Sequence, residues 1–283
     1  MKKLGILGPR GTHSEEAALW LKKFLREDFK LEIFTDIFDV LAAVKEKTVE
    51  SGLVPVENSL EGSINITLDI LARSDTLTVA RELVWPVKNF LMTKSLTDSQ
   101  KIKKIFSHSQ PLAQCRKFLQ KNFPEAEIVA TSSTARAAEI VSAAKDDFAA
   151  ICPERAGKLN GLIVAAKNIQ DNPNNFTRFF EIIYRPHDAK PFETFDGDKI
   201  LIICQIDGSK AGSLCSVLEE FAKRGVNLTR IESRPARTIL GAYIFFFELE
   251  TDAGDENLRE SIRAVYEKSI WLKNLGVFPV INA

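Results

Sequence analysis

The chain has 283 residues, 45% of them hydrophobic, and this length exceeds the usual size of one domain, so we expect two domains. Its 38 basic and 38 acidic residues are well mixed and give a formal net charge of zero. This balance argues against nucleic acid and anionic membranes as partners and favours small-molecule chemistry.

The first residues predict a strand and no signal peptide, because only a few apolar residues come before Gly8. No run approaches the ~18 apolar residues that would span a bilayer. The four cysteines show no paired spacing, which argues against a zinc knuckle and a disulfide framework. The three histidines lack the helical spacing of metal ligands, so we expect no metal and no cofactor. These features predict a protein of the reducing cytoplasm.

The first part of the chain alternates short apolar strands with helices, which predicts an α/β fold. A tight turn at Gly8–Gly11 separates the first strand from a helix whose start has the capping-box pattern Thr12–Glu15. A second set of the same units follows without a low-complexity linker. The predicted strands are Leu4–Leu7, Leu31–Phe34, Gly52–Val56, Leu77–Val84, Val87–Thr93, Ile105–Ser107, Glu127–Ala130, Phe148–Ile151 and Leu162–Ala165.

Polar side chains follow four of these strands, each at the start of a helix. One such set is expected anywhere, because hydroxyls and amides commonly cap helices. Four sets in the same half of the chain, together with Arg178, predict a cleft for an anion rich in carboxylate oxygens. The groups are Thr12 and Ser14, Asn58 and Ser59, Ser107 and Gln110, and Ser133 and Thr134.

The stretch from Asp171 to Phe180 leads a polar, turn-forming run directly into an apolar strand. It leaves the hydroxyl of Thr177 and the guanidinium of Arg178 at the start of a strand that is covered on both faces. Open α/β sheets often place their ligand groups at such strand ends. Taken alone, the pair is better explained as an ordinary exposed loop-to-strand transition, so its interpretation depends on its neighbours.

The polar, proline-containing residues 186–198 predict a linker between a first domain, residues 1–185, and a second, residues 199–283. Beyond the linker, the order strand, helix, strand, strand, helix, strand predicts a ferredoxin-like βαββαβ domain with an antiparallel sheet. The predicted elements are Lys199–Ile206, Gly212–Arg224, Asn227–Ala236, Leu240–Glu250, Glu256–Lys268 and Ile270–Val280.

Seven short segments, in this order along the chain, carry a resemblance to a known family: Gly8–Thr12, Pro55–Ser59, Ser107–Gln110, Ser133–Ala135, Asn175–Phe179, Gly225–Thr229 and Ile231–Pro235. The chain resembles, nearly over its full length, the bacterial prephenate dehydratases with a C-terminal ACT regulatory domain. This implies two α/β lobes in residues 1–185, similar to type II periplasmic binding proteins, with a cleft between them. It also implies a homodimer or homotetramer. In the implied reaction, prephenate loses its ring carboxylate as CO2 and its ring hydroxyl as water, giving phenylpyruvate for phenylalanine synthesis.

The family's Thr-Arg-Phe motif falls on Thr177, Arg178 and Phe179, and it implies that the Thr is catalytic. Prephenate has two carboxylates and one leaving hydroxyl, so a site needs donors for the first and a proton for the second. We expect Thr177 to donate that proton. Arg178 would strengthen the hydrogen bond from Thr177 to the departing oxygen and would hold a carboxylate. Glu57 is expected to be an acid or an orienting group, a choice that the sequence leaves open. Ser107, Ser133 and Thr134 would hold carboxylates, Asn58 and Ser59 would orient them, and Thr12, Gln110 and Phe179 complete the expected substrate contacts.

The ACT resemblance implies a second ligand site, for phenylalanine, at a subunit interface. The N-terminus of the predicted helix at Gly212 suits the carboxylate of an amino acid, and Glu232 or backbone carbonyls suit its ammonium. Two residues depart from the family pattern: Ser213 replaces an Ala, and His13 replaces an aromatic residue. The expected phenylalanine contacts are Gly212, Ser213, Leu214, Asn227, Leu228, Glu232, Ser233 and Arg234.

Two other functions are compatible with these residues. One is arrogenate dehydratase, the same chemistry on a substrate whose keto group has become an amine, and the sequence does not separate it from the first. The other is a two-lobed sensor that binds an amino acid or keto acid without chemistry. The intact Thr177–Arg178 pair with hydroxyls at four strand ends favours an enzyme over the sensor.

Overall fold

The computed structural model describes residues 2–95, 101–145, 147–186, 196–238, 241–252 and 254–283. No helix in these ranges is long and apolar enough to cross a membrane. The elements of the first part of the chain are β1 (Lys2–Leu7), α1 (His13–Leu25), β2 (Phe29–Phe34), α2 (Ile37–Lys45), β3 (Ser51–Asn58), β4 (Gly62–Ser63), α3 (Asn65–Arg73), β5 (Leu77–Pro86), β6 (Phe90–Thr93), β7 (Lys104–Ser107), α4 (Ser109–Gln114), α5 (Arg116–Asn122), β8 (Glu127–Ala130), α6 (Thr134–Ala143), β9 (Phe148–Cys152), α7 (Glu154–Leu159), β10 (Ile163–Ala166) and β11 (Phe176–Tyr184).

The first lobe is built on a mixed sheet with the order β5-β11-β3-β1-β2. Strand β1 lies parallel to β2 and β3, whereas β11 returns from the second lobe and lies antiparallel between β3 and β5. The apolar residues of β11 divide between the two faces: Phe179 packs in one core cluster and Phe180 and Ile182 in another. A central strand covered on both faces is what the sequence predicts here.

The second lobe is inserted between β5 and β11, and its five strands have the order β10-β6-β9-β7-β8. The predicted strand Val87–Thr93 is shorter in the structure, because residues 87–89 form one of the two crossings between the lobes. The Val87 N–H donates to the Asn175 carbonyl in the second crossing, at 2.8 Å. The two crossings therefore lie side by side, and the expected two-lobed α/β domain with an interlobe cleft is confirmed.

The C-terminal domain follows the predicted linker, residues 186–198, of which residues 187–195 lie outside the described ranges. Its sheet has the order β13-β14-β12-β15 with antiparallel pairs, which confirms the ferredoxin-like domain. The predicted start of the third strand at Leu240 also lies outside those ranges. The elements are β12 (Lys199–Ile206), α8 (Ser213–Ala222), β13 (Leu228–Pro235), β14 (Tyr243–Glu250), α9 (Asp255–Lys268), β15 (Ser269–Phe278) and β16 (Val280–Asn282).

The end of the chain differs from the single final strand predicted at Ile270–Val280. Strand β15 ends at Phe278, and Pro279 interrupts the ladder because proline has no N–H to donate. The last residues form β16, which pairs in parallel with β5 at the edge of the first lobe's sheet. The Ala283 N–H donates to the Val84 carbonyl at 3.1 Å. The C-terminal residues after Pro279 therefore extend the sheet of the first lobe.

The small domain also packs directly against the first lobe. One face of its sheet carries Leu201, Ile203 and Phe246, which lie in the same core cluster as Val54 and Phe180 of the lobe. The opposite face packs against its own helices in a separate cluster. Burial of apolar area is the main attraction between packed surfaces, so this shared core docks the two domains.

Candidate functional site

A cavity of about 370 Å³ lies between the two lobes, within the size range of small-molecule sites. Both lobes and the crossings between them contribute to its walls. The lining residues are Leu7, Gly8, Thr12, His13, Ser14, Pro55, Asn58, Val87, Asn89, His108, Gln110, Pro111, Gln114, Ser132, Ser133, Thr134, Thr177 and Phe179. Seven of the residues expected to serve the substrate thus meet at one place: Thr12, Asn58, Gln110, Ser133, Thr134, Thr177 and Phe179.

The hydroxyl of Thr177 is oriented by the side chain of Asn58. Backbone N–H groups of Leu60 and Glu61 donate to Asn58 Oδ1 at 3.0 and 3.1 Å, which identifies the oxygen side of the amide. Its Nδ2 therefore faces the other way and donates to Thr177 Oγ1 at 3.1 Å and to Asn175 Oδ1 at 2.8 Å. Because Oγ1 accepts from this amide, Thr177 is free to direct its own proton toward the cavity.

The N-terminal ends of helices α1 and α6 meet the cavity from opposite lobes. The Thr12 side chain does not cap α1, because its hydroxyl donates to the Pro9 carbonyl at 3.0 Å. Ser133 does cap α6, accepting from the Arg136 N–H at 3.0 Å. A helix N-terminus presents backbone N–H groups and the positive end of the helix dipole. Two such ends, one in each lobe, suit a ligand with two carboxylates.

A clamp of Arg155 on Glu15 joins the lobes beside this cavity. Arg155 of α7 donates to both carboxylate oxygens of Glu15, at 2.8 and 2.9 Å, and the Gly11 N–H donates to the same carboxylate at 2.6 Å. Burial alone would raise the pKa of Glu15, but these hydrogen bonds outweigh it and hold the pKa below its ordinary value. Glu15 is thus ionised and pairs with Arg155 across the two lobes. It does not form the capping box that was expected with Thr12.

Two amide side chains of the cavity, Asn89 and Gln114, were missed as site residues by the sequence analysis. Asn175 Nδ2 donates to Gln114 Oε1 at 3.1 Å, and Asn89 Nδ2 lies 3.5 Å from the same oxygen. Asn89 Oδ1 and Gln114 Nε2 are buried and have no hydrogen-bond partner within the described ranges. An unpaired buried polar atom costs roughly 1–3 kcal/mol, so this acceptor and this donor would each gain from a partner that enters from the cavity. The sequence signal that could have identified them is an amide side chain within a run of apolar residues, where a buried position is expected.

Two expected substrate contacts, Ser107 and Ser59, do not line the cavity. Ser107 is fully buried, and its hydroxyl donates to the Ile151 carbonyl at 2.6 Å. Ser59 Oγ donates to the Asn174 carbonyl at 3.0 Å and accepts from the Phe176 N–H at 2.9 Å. Both expectations were wrong for the same reason: each hydroxyl satisfies backbone groups inside the protein. His108, which lines the cavity, caps α4, because its Nδ1 accepts from the Gln110 N–H at 3.4 Å.

Arg178 was expected to hold a substrate carboxylate and to assist Thr177, and the structure contradicts both roles. Successive residues of a strand point to opposite faces, so Arg178 points away from the cavity that Thr177 lines. Its guanidinium donates to Glu82 at 2.6 and 2.9 Å, to Glu57 at 2.6 Å and to Glu248 at 2.6 Å. Burial opposes its charge, but these carboxylates outweigh that cost and raise the pKa of Arg178 above its ordinary value.

Glu57 shares this position behind the cavity. Its carboxylate accepts from Arg178 and lies 3.7 Å from Nε of Arg230 in the small domain. The expected role of acid or orienting group for the substrate is therefore wrong, because the side chain faces the small domain. The neighbouring residue Asn58 lines the cavity instead.

The residues expected to bind phenylalanine divide between the two faces of β13. Ser233 pairs with Phe245, whose ring packs on the helix side of the small domain. Glu232 and Arg234 point the other way, where Glu232 accepts from the Ser63 hydroxyl at 2.9 Å and Arg234 donates to Asp69 at 3.2 Å. Within the chain these two charged residues bind the first lobe, and their expected contact with phenylalanine at a subunit interface stays a prediction. Gly212, Ser213 and Leu214 begin α8, and Asn227 and Leu228 lead into β13.

Comparison with known proteins gives consistent matches. A family model described as prephenate dehydratase matches residues 4–187, and one described as ACT domain matches residues 201–265. A bifunctional chorismate mutase/prephenate dehydratase of Aquifex aeolicus is 38% identical over 98% of this chain and 73% of its own length. A prephenate dehydratase of Methanocaldococcus jannaschii is 34% identical over 97% of both chains. The crystal structure of an Arthrobacter aurescens prephenate dehydratase in complex with L-Phe superposes with a TM-score of 0.86, at 32% identity, covering 98% of this chain and 90% of that one.

The contact between the lobes at Gly11 gives a testable prediction. A Cβ added at Gly11 would lie 2.8 Å from the Ala156 Cα, whereas one added at Gly161 meets nothing within 4 Å. Both glycines have positive φ, 84° and 70°, so an alanine is strained at either position. We expect Gly11→Ala to lower the free energy of unfolding by about 1–3 kcal/mol more than Gly161→Ala, the usual cost of overpacking. Urea unfolding of both variants measures the difference, and equal costs would contradict the close contact.

Proposed function

The chain belongs to the prephenate dehydratase family and carries an ACT domain, and we propose that the cavity between its lobes converts prephenate to phenylpyruvate. One observation carries the proposal: the Thr177 hydroxyl, oriented by Asn58, lies in a cavity that two helix N-termini enter from opposite lobes. The first feature supplies a proton, and the second supplies donors for two carboxylates.

Substrate binding follows from the charges of the cavity. Prephenate is a dianion, and each of its carboxylates suits one helix N-terminus, α1 in the first lobe and α6 in the second. Thr12, Ser133 and Thr134 lie at these two ends and add hydroxyl groups. Gln110 and Phe179 complete the wall. A substrate held from both lobes keeps the reacting atoms in one geometry. The entropy cost of bringing them together is then met by binding and does not add to the barrier of the chemical step.

The chemical step needs only a modest acid, because forming the aromatic ring drives the reaction. The bond from the ring to its carboxylate breaks and releases CO2, and its electron pair enters the ring. The bond from the ring to the hydroxyl breaks at the same time, and the departing oxygen takes the proton of Thr177 to become water. A donor that is already oriented toward the departing oxygen needs no reorganisation as negative charge develops there, which favours this transfer. The Thr177 oxygen regains a proton from solvent after the products leave.

Asn89 and Gln114 fit the departing hydroxyl. A hydroxyl both donates and accepts hydrogen bonds, and the unpaired atoms are one acceptor, Asn89 Oδ1, and one donor, Gln114 Nε2. A chain of hydrogen bonds through Asn175 and Asn58 connects Gln114 to Thr177. The group that leaves and the group that protonates it are thereby held by one amide network.

The ACT domain adds a second part to the proposal, a site for L-phenylalanine that regulates the enzyme. The related Arthrobacter aurescens enzyme was solved in complex with L-Phe. In this chain, the α8 N-terminus at Gly212 suits the carboxylate of an amino acid, with Ser213 and Leu214 beside it. Asn227, Leu228 and Ser233 remain proposed contacts. Ile231 and Ser233 are exposed on the same face of β13, which a second subunit of a homodimer or homotetramer would cover.

Replacing the proton donor tests the reaction directly. We expect Thr177→Ala to lower kcat by about 10²–10⁴, the usual effect of a positioned acid, and Thr177→Ser to retain more activity because it keeps a hydroxyl. Thr48→Ala is the matched control, since the Thr48 hydroxyl binds the Ala43 carbonyl outside the cavity. Phenylpyruvate absorbance in alkali measures turnover. Activity of Thr177→Ala within a few-fold of wild type would remove Thr177 from the role, and a wild-type protein that binds prephenate without turnover would be a sensor.

The cavity also predicts a substrate preference. Arrogenate carries an ammonium group where prephenate carries a keto group, and an ammonium group removed from water is stabilised by a carboxylate. None of the described residues that line the cavity is Asp or Glu, and both helix ends repel a cation. We therefore expect a higher kcat/KM for prephenate than for arrogenate when the two are assayed side by side. A preference for arrogenate would contradict this assignment.

Regulation by phenylalanine has a thermodynamic consequence. If the amino acid weakens prephenate binding, prephenate must weaken phenylalanine binding by the same factor, typically about 5–150-fold. Thr177→Ala allows the test, because it binds prephenate while turning it over slowly. Calorimetric titration with L-phenylalanine, with and without prephenate, measures the factor. Identical phenylalanine affinity in the two titrations would exclude coupling between the sites.

A further inference from the structure

A buried ion network lies directly behind the cavity and joins the first lobe to the ACT domain. Arg178 is at its centre and donates to Glu248 of β14 at 2.6 Å, in addition to its bonds within the lobe. Lys199 of β12 crosses in the same direction and donates to Glu82 at 3.2 Å. The side chains of Glu82 and Glu248 are both 1% exposed, so these charges have been removed from water.

The charges on the two sides of this network are complementary. The first lobe contributes two carboxylates and one guanidinium, from Glu57, Glu82 and Arg178. The ACT domain contributes two cations and one carboxylate, from Lys199, Arg230 and Glu248. Each side therefore places opposite charges against the other, and Glu232 adds a second carboxylate on the ACT side, 3.5 Å from Arg230. Burial alone would raise the pKa of Glu82, but Arg178 and Lys199 hold it below its ordinary value.

A second contact of the ACT domain lies one strand away, at Ser63 of β4. Arg230 donates to Ser63 Oγ at 2.7 Å, and Ser63 Oγ donates to Glu232 at 2.9 Å. Strand β4 is short and pairs with the end of β3, with Ser63 opposite Glu57 and Gly62 opposite Asn58. The ACT domain thus also holds the segment that follows Asn58.

The register of the strands places these contacts behind the reacting groups. Thr177 lies opposite Asn58 in the β11–β3 pair, and Arg178 lies opposite Glu57. Because neighbouring residues of a strand point to opposite faces, the ACT domain binds the residue next to Thr177 and the residue next to Asn58. We infer that Glu248 and Arg230 are positioning residues, through which the ACT domain holds the Thr177 hydroxyl and its Asn58 partner in the geometry for proton transfer. This inference rests on the proposed function.

The network is not required simply to dock the two domains. The shared apolar core already joins them, with the Phe180 and Phe278 rings 5.5 Å apart. A buried ion pair contributes little net stability compared with apolar residues of the same volume, because its desolvation opposes the attraction. What it adds is a defined geometry, since each guanidinium bond requires a fixed direction. A role in positioning therefore explains the buried charges better than a role in attachment.

Neutralising one member of the network tests the inference. Glu248→Gln keeps the size of the side chain and removes the charge that meets Arg178 and Arg230. The matched control is Glu260→Gln, which removes an exposed partner of Arg224 in the same domain, at 3.2 Å. Wild type and both variants are assayed for kcat and KM with prephenate, and thermal unfolding verifies that each variant is folded. The proposed reaction fails if the wild type produces no phenylpyruvate, and the inference fails with it.

For an active wild type, we expect Glu248→Gln to lower kcat by about 10- to 100-fold, as a displacement near 1 Å would, with KM changed less than about two-fold. Glu260→Gln should match the wild type in both constants. A folded Glu248→Gln protein with wild-type kcat, or with a change in KM alone, overturns the inference and leaves the proposed reaction standing. If Glu248→Gln does not fold, Arg230→Gln removes the contacts to Glu248 and Ser63 from the other side and is judged by the same two outcomes.

Discussion

The alternation of side chains along two neighbouring strands connects the cavity to the regulatory domain. On β11, Thr177 faces the cavity and Arg178 faces the ACT domain, and on β3 the same division separates Asn58 from Glu57. The hydroxyl and the amide that orients it cannot move independently of the charged residues beside them in the chain. In the proposed function, a buried network that fixes those residues also fixes the geometry of the proposed proton donor.

Different interactions hold the two domains together and define the position of the strands. The shared apolar core provides attraction without direction, while the network provides direction. Removing one partner from a buried ion pair costs roughly 3–5 kcal/mol, because the other charge remains desolvated. The C-terminal strand β16 adds a third connection, since it pairs with β5, the strand that carries Glu82 and lies beside β11. The ACT domain and the C-terminal residues therefore contact the first lobe through a core, a network and a backbone ladder.

Local sequence patterns predicted the α/β fold of the first part of the chain and the ferredoxin-like order of the second, because these depend on periodicity and strand ends. The same alternation that predicts a strand also places Thr177 and Arg178 on opposite faces. The sequence therefore already indicated that the guanidinium points away from the Thr177 hydroxyl. The ion pair between Arg178 and Glu248 could not be predicted from the sequence, because Glu248 lies 70 residues away in another domain. Ser107 shows a further limit, since a strand-end hydroxyl can face either a ligand or a backbone carbonyl.

The most direct measurement of the central claim is hydrogen–deuterium exchange of the Phe176–Tyr184 strand in the wild type and in Glu248→Gln. Exchange reports how often a backbone segment opens, so it detects loss of the constraint without relying on catalysis. The account predicts faster exchange in this strand of the variant, with unchanged exchange in Phe148–Cys152 of the second lobe, which the network does not touch. Identical exchange of Phe176–Tyr184 in the two proteins would contradict the claim that the ACT domain holds the catalytic strand from behind.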